Sequence, residues 1–180
     1  MLSDEDMYQR MSKGWRMGMD DGTMCGNGST LANTKNIRSW LPKICGQYGI
    51  TRINDAGAGD LHWVRKINWL VAYRAFDLIP WRENVTKLDF TREVMPPCDA
   101  ILCRMVLNHL DEERILMALE LFRKSGKYLI ATQFNGDELP QRSPQFTRLD
   151  LRATPYNLGK PLSSVQDASE AICSLALWKL

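Results

Sequence analysis

The sequence predicts an α/β fold, a mostly parallel central sheet with helices on both faces, and three observations carry that expectation. Beyond residue 50, short apolar runs of strand length alternate with helix-patterned segments, which is the signature of crossover-connected parallel strands. One of these junctions, Ile53-Asn54-Asp55-Ala56-Gly57-Ala58-Gly59-Asp60-Leu61-His62-Trp63, runs from an apolar lead-in to an acid, then to two glycines one residue apart. Such a turn lets backbone approach a nucleotide-like ligand closely. Finally, 180 residues with 44% apolar and 24% charged side chains suit one soluble domain with a single core, spanning 1–180.

The elements follow in order. Met7, Met11 and Trp15 recur at four-residue spacing, so residues 4–19 read as a short amphipathic helix. Residues 18–30 are rich in Gly, Asn, Asp and Ser and read as a loop. A helix is expected over 34–48, with Ile37, Trp40, Leu41 and Ile44 on one face and Pro42 as a break or kink. Residues 1–48 thus form N-terminal helices and a loop ahead of the sheet. The first strand is expected at 53–56 and the first crossover helix at 60–69. Strands follow at 71–76, ending at Asp77, at 85–90 and at 98–106. Residues 111–124 form a helix, with Asp111 at its start, acids in its first turn and Ile115, Leu116, Leu119 and Phe122 at helical spacing. A fifth strand covers 127–134, residues 135–160 are loop-rich with four prolines to position 161, and 171–180 is a β-prone apolar stretch.

Composition excludes several classes. A formal charge of +2 and a pI near 8.3 fall short of the concentrated basic face that nucleic-acid binding usually needs. Met1–Asp6 lacks the regions of a signal peptide, and no apolar run is long enough to span a bilayer. Five cysteines without a C-x-x-C pair point to a reduced, cytoplasmic setting rather than to a disulfide framework or a zinc site, and two histidines without clustered cysteines predict no metal centre. Pro97-Cys98 precedes its strand and reads as a turn and a buried thiol, not as a nucleophile.

The chemistry concentrates at strand ends, where a parallel sheet binds its ligands. The dinucleotide pattern G-x-G-x-x-G fails because His62 stands at its third glycine, whereas D-x-G-x-G is intact from Asp55 to Gly59. Asp77 lies 22 residues beyond Asp55, where an acid can accept both hydroxyls of a ribose. Leu88-Asp89-Phe90 closes the third strand, and Arg104, Asn108 and His109 follow the fourth. A neutral histidine there could take a proton; helix capping or core packing is the alternative for His109.

In these residues the chain resembles the class I S-adenosylmethionine-dependent methyltransferases. Their first motif, D/E-x-G-x-G-x-G, stands here as Asp55-Ala56-Gly57-Ala58-Gly59-Asp60-Leu61, with Leu61 replacing the last glycine. The resemblance implies a Rossmann-like methyltransferase fold with S-adenosylmethionine as cofactor. It assigns cofactor binding to Asp55, Ala56, Gly57, Gly59, Asp77, Leu78, Asp89, Phe90 and Arg104, with Asp77 on the ribose and Asp89-Phe90 on the adenine. Arg104, Asn108 and His109 become the catalytic, acceptor-side groups. The segment Cys25–Thr30, with Ser29, Thr34 and Trp63, is similar to that of a group of small phage and bacterial methyltransferases, in which it would fold over the donor as a lid. The expected reaction moves a methyl group to an oxygen or nitrogen of a small-molecule acceptor. A nucleotide or nucleic-acid acceptor, supported if Arg142, Arg148 and Arg152 form a basic patch, remains the alternative, as does a cofactor-binding protein without catalysis. Acceptor identity and oligomeric state are not legible in the sequence.

Overall fold

The structure, a computed structural model, describes residues 22–135, 146–168 and 172–180; the helix expected at 4–19 lies outside them. Seven strands form one sheet: β1 (Arg52–Ala56), β2 (Ala72–Asp77), β3 (Val85–Lys87), β4 (Ala100–Cys103), β5 (Tyr128–Phe134), β6 (Ser163–Gln166) and β7 (Cys173–Lys179), in the order β3-β2-β1-β4-β5-β7-β6. β1 to β5 pair in parallel. β7 runs antiparallel between β5 and β6. The chain moves outward from β1 through β2 to β3 and then returns to the other side of β1 with β4. That reversal opens a crevice at the carboxyl ends of β1 and β4.

Two α-helices cover the two faces. Helix α1 (Lys35–Gln47) buries Ile37, Leu41, Ile44 and Cys45 against Ile53, Ala75, Ala100, Leu102, Ile130 and Leu177. Pro42 sits inside α1 without interrupting it. Helix α2 (Glu112–Ser125) buries Ile115, Ala118, Leu119 and Phe122 against Phe76, Ile101, Cys103, Leu129 and Trp178. The period-two split of β4, Ala100 and Leu102 to one face and Ile101 and Cys103 to the other, is what a strand buried on both sides requires. The expected cap of α2 is present: the Asp111 side chain accepts the Arg114 N–H at 2.9 Å, with Glu112 and Glu113 in the first turn and Arg123 and Lys124 in the last.

Three expectations are corrected, and one strand was not expected. The crossover helix at 60–69 does not form; a turn and a 3-10 segment, Val64–Lys66, take its place. Asp60 uses its carboxylate to accept the His62 N–H at 3.0 Å, a local bond that competes with helix formation, and Leu61 adopts φ 60°, outside the α-helical region. Leu61, Trp63, Val64 and Ile67 nevertheless cover the sheet as a helix would. β3 stops at Lys87 because Asp89 turns the chain, its Oδ1 accepting the Thr91 N–H at 3.0 Å and hydroxyl at 2.6 Å. β4 stops at Cys103 because Met105 is left-handed, φ 55°. β6, Ser-Ser-Val-Gln, was not expected: it is a polar edge strand with no apolar alternation.

The turn after β1 is fixed by the strand beside it. The Gly57 and Ala58 N–H groups both donate to the Phe76 carbonyl, at 2.8 and 3.1 Å. Gly57 and Gly59 have φ of 85° and 59°, and each faces a side chain. A Cβ on Gly57 would overlap Val106, and one on Gly59 would lie 2.6 Å from the Cys25 Sγ but 3.6 Å from the Cys25 Cβ. Gly59→Ala therefore carries backbone strain of about 1 kcal/mol and a steric conflict of about 1–3 kcal/mol. In urea unfolding, Cys25→Ala in the same chain should recover the steric part, giving a coupling of about 1 kcal/mol between the sites. Additive losses would show that Cys25 does not pack on this turn.

Candidate functional site

A cavity of about 340 Å³ opens where the carboxyl ends of β1, β2, β3 and β4 meet the segment Cys25–Ser29. Of the residues expected to bind cofactor, Asp55, Gly57, Gly59, Asp77, Leu78, Asp89, Phe90 and Arg104 line it; Ala56 is fully buried behind the turn. His109 of the acceptor-side trio lines it also, but Asn108 does not.

Four aspartates line this cavity: Asp55, Asp60, Asp77 and Asp89. Asp55, one residue before the end of β1, is 3% exposed and accepts a hydrogen bond from the Tyr73 hydroxyl on β2. Burial raises its carboxyl; the Tyr73 bond and Arg104 pull it down and Asp77 pushes it up, leaving it at about 7. Asp77 accepts the Gly59 N–H on Oδ2 at 2.8 Å and the Ile79 N–H on Oδ1 at 3.0 Å, so each oxygen keeps acceptor capacity for a ligand. Burial raises the Asp77 carboxyl against the pull of those amides. Asp89 commits Oδ1 to Thr91 and has the Arg92 Nε 3.5 Å from Oδ2. It caps a turn and borders the cavity at once. Phe90 is buried and packs on Phe122, ring centroids 5.4 Å apart.

Asp60 joins the N-terminal segment to the glycine turn. With 3% exposure, it accepts the Met24 N–H at 2.6 Å and the Thr23 hydroxyl at 3.2 Å. In return the Cys25 sulfur accepts the Asp60 N–H at 3.3 Å. Burial, reinforced by Asp60, pushes the Cys25 thiol up to about 12, so it is a packing group rather than a nucleophile. Cys98 is likewise a buried thiol, 3.6 Å from the Ser125 carbonyl.

Beyond β4 the chain turns through Leu107–His109. Arg104 is 7% exposed; its Nε and Nη2 donate to the two oxygens of Asp167, at 2.8 and 2.9 Å. Nη2 also donates to the Gly28 carbonyl at 2.7 Å, and the guanidinium lies 5.4 Å from the Trp63 ring centre. His109 meets the edge of Phe146, centroids 5.6 Å apart. Asn108 is 2% exposed, and among the described residues both its amide atoms lack a hydrogen-bond partner, the kind of orphan that natural interiors seldom keep.

Sequence reasoning missed Tyr73, Asp60 as a bridge, and Asp167. Asp60 lay inside the quoted motif, and its position next to Gly59 was the available signal; Tyr73 and Asp167 act through partners distant in sequence, and nothing local marked them. Of the arginines whose clustering would favour a nucleic-acid acceptor, Arg142 lies outside the described residues, and Arg152 is held by both oxygens of Asp150 at 2.8 Å. Among the described residues no group of three or more His, Cys, Asp or Glu could hold a metal ion, and no helix is long and apolar enough to cross a membrane.

No protein-family model matches this sequence, and no curated protein does. Solved structures do. Magnesium protoporphyrin IX methyltransferase from Synechocystis, with bound S-adenosylmethionine, is similar at a TM-score of 0.63 and 13% identity, over 100% of this chain and 99% of that one. The 1,6-didemethyltoxoflavin-N1-methyltransferase of Burkholderia thailandensis, with its acceptor and S-adenosylhomocysteine bound, is similar at 0.62 and 13%, over 99% and 91%. An S-adenosylmethionine-dependent methyltransferase from Clostridium acetobutylicum is similar at 0.58 and 11%, over 97% and 99%. The likeness is one of architecture: this chain has the Rossmann-like fold of the class I S-adenosylmethionine-dependent methyltransferases.

Proposed function

We propose that this protein is a cytoplasmic S-adenosylmethionine-dependent methyltransferase of the small phage or bacterial type, which transfers a methyl group to an oxygen or nitrogen of a small-molecule acceptor. One observation carries the reading. The cavity at the switch point of the sheet is lined by four aspartates and two arginines, Arg104 and Arg114, and Arg104 is already paired with Asp167. Such a surface suits a ligand with cationic groups and disfavours the pyrophosphate of a nicotinamide dinucleotide. The glycine turn, where a Cβ would find no room, fits the close backbone approach that the donor needs. Neighbours of the same fold carry the donor or its demethylated product.

In this reading Asp77 holds the ribose hydroxyls with the acceptor capacity left on its two oxygens, and Asp89 and Phe90 border the adenine. Asp55, backed by Tyr73, faces the donor's ammonium. The Gly26–Ser29 turn, tied down through Asp60 and Arg104, acts as the lid. The bound donor supplies an activated methyl on a sulfonium, so the protein's task is to align the acceptor in line with it, and proximity provides much of the rate. His109 is placed to accept the acceptor's proton, and the unpaired Asn108 amide lies beside it in the chain as a group a ligand or a side-chain rearrangement could satisfy.

Isothermal titration tests the assignment. S-adenosylmethionine and S-adenosylhomocysteine should each bind one site saturably, and NAD should give no heat. The reverse pattern would overturn the reading.

Donor affinity should also depend on pH. In the empty cavity Asp55 is protonated below its pKa of about 7, and an adjacent ammonium favours its ionised form. Affinity for S-adenosylmethionine should therefore rise between pH 6 and pH 8, releasing up to one proton, and Asp55→Asn should flatten that rise. The raised folded-state value also makes the empty protein lose stability as pH climbs from the unfolded carboxylate range through about 7. A donor affinity that is level or falling over this range would place the ammonium elsewhere.

On the acceptor side, His109→Ala should lower methyl transfer by about 10²-fold or more if His109 is the general base, while donor affinity changes little. Steady-state and binding measurements on the same preparation separate the two. Unchanged turnover would leave His109 a packing residue against Phe146 rather than a base.

A further inference from the structure

Arg104 and Asp167 form a buried ion pair, with side chains 3% and 0% exposed. Asp167 is 0% exposed and follows β6, an edge strand that stands three positions from β4 in the sheet. Its backbone is fixed by a hydrogen bond from its N–H to the Cys173 carbonyl at 3.0 Å. Both of its oxygens take up the Arg104 fork, which is the geometry that makes arginine and carboxylate pairs specific. A buried ion pair of this kind adds little net stability compared with apolar packing, so its effect is better sought in the cavity that Arg104 lines. There Arg104 also holds the N-terminal segment, its Nη2 donating to the Gly28 carbonyl at 2.7 Å.

A lone guanidinium at this position would be unfavourable for a donor whose reactive centre is a sulfonium. Like charges in a partly desolvated cavity repel strongly. We propose that Asp167 is a positioning residue for the methyl donor: it fixes the Arg104 fork at the edge of the cavity, and it cancels the guanidinium charge that the sulfonium would otherwise face. The cavity then keeps the tie from Arg104 to the Gly28 carbonyl without gaining net positive charge. Asp55, Asp60, Asp77, Asp89 and Arg114 also border it, and Arg104 pulls the Asp55 carboxyl down. This inference rests on the methyltransferase reading and adds to it a charge requirement at one residue.

The two forms of the donor provide the test, because S-adenosylmethionine carries the sulfonium and S-adenosylhomocysteine carries a neutral sulfur. Calorimetry on the full chain should show that Asp167→Asn weakens S-adenosylmethionine about tenfold more than S-adenosylhomocysteine. In the double variant Arg104→Gln with Asp167→Asn, neither charge remains, so the ratio of the two affinities should return to the wild-type value even though both ligands bind more weakly. A merely structural role for Asp167 would weaken both ligands alike in the single variant. If Asp167→Asn does not fold, Asp167→Gly, which admits water to the guanidinium, carries the same comparison. Equal losses for both ligands, or a ratio not restored in the double variant, overturn the inference. Wild-type protein that binds neither ligand overturns the methyltransferase reading beneath it.

Discussion

The backbone amides of the turn after β1 are the constraint on which the site depends. Gly57 and Ala58 give theirs to the Phe76 carbonyl, and Gly59 gives its own to the Asp77 carboxylate. Three successive donors are thus directed at the end of β2, which sets both the left-handed path of the turn and the position of Asp77. Asp60 then turns the other way and collects Met24, Thr23 and His62. The segment from Thr23 to Ser29 is held against the cavity by these bonds and by Arg104. Val106 and Cys25 fill the space beside the glycines, so a wrong side chain in the turn would disturb β4 and the N-terminal segment together.

The fold is reduced to what this site needs. Only two α-helices occur among the described residues, one on each face. Between β2 and β4 the chain carries no helix, and Phe90, Met95 and Cys98 complete the α2 side of the core from loop positions. Between β1 and β2 a turn and a single 3-10 segment do the covering, with Trp63, Val64 and Ile67 as the apolar contacts. Apolar burial is roughly proportional to area rather than to regular structure, which is why loops suffice where the sheet face is small.

What the sequence revealed followed from local rules. β4 is an apolar run buried on both faces, β5 and β7 are largely apolar and buried, and α2 has an acidic cap, a basic end and a clean apolar stripe. Asp55, Gly57, Gly59 and Asp77 were legible because a tight turn and a strand-end acid leave a spacing signature. The failures came from competition and distance. At 60–69 the helical spacing of Leu61 and Val64 was real, but the Asp60 side chain captured the His62 amide and Leu61 took a left-handed conformation. β6 has no apolar alternation because it is an edge. Asp167 meets Arg104 across 63 residues, and Tyr73 meets Asp55 across a strand pair. No local pattern encodes such partners.

The most direct test of the account is a crystal structure of the protein with S-adenosylhomocysteine. The account predicts the ribose hydroxyls on Asp77, the adenine beside Asp89 and Phe90, the amino group toward Asp55, and the sulfur on the side of the cavity bordered by Arg104 and His109. A ligand bound with its ribose away from Asp77, or bound outside this cavity, would contradict it.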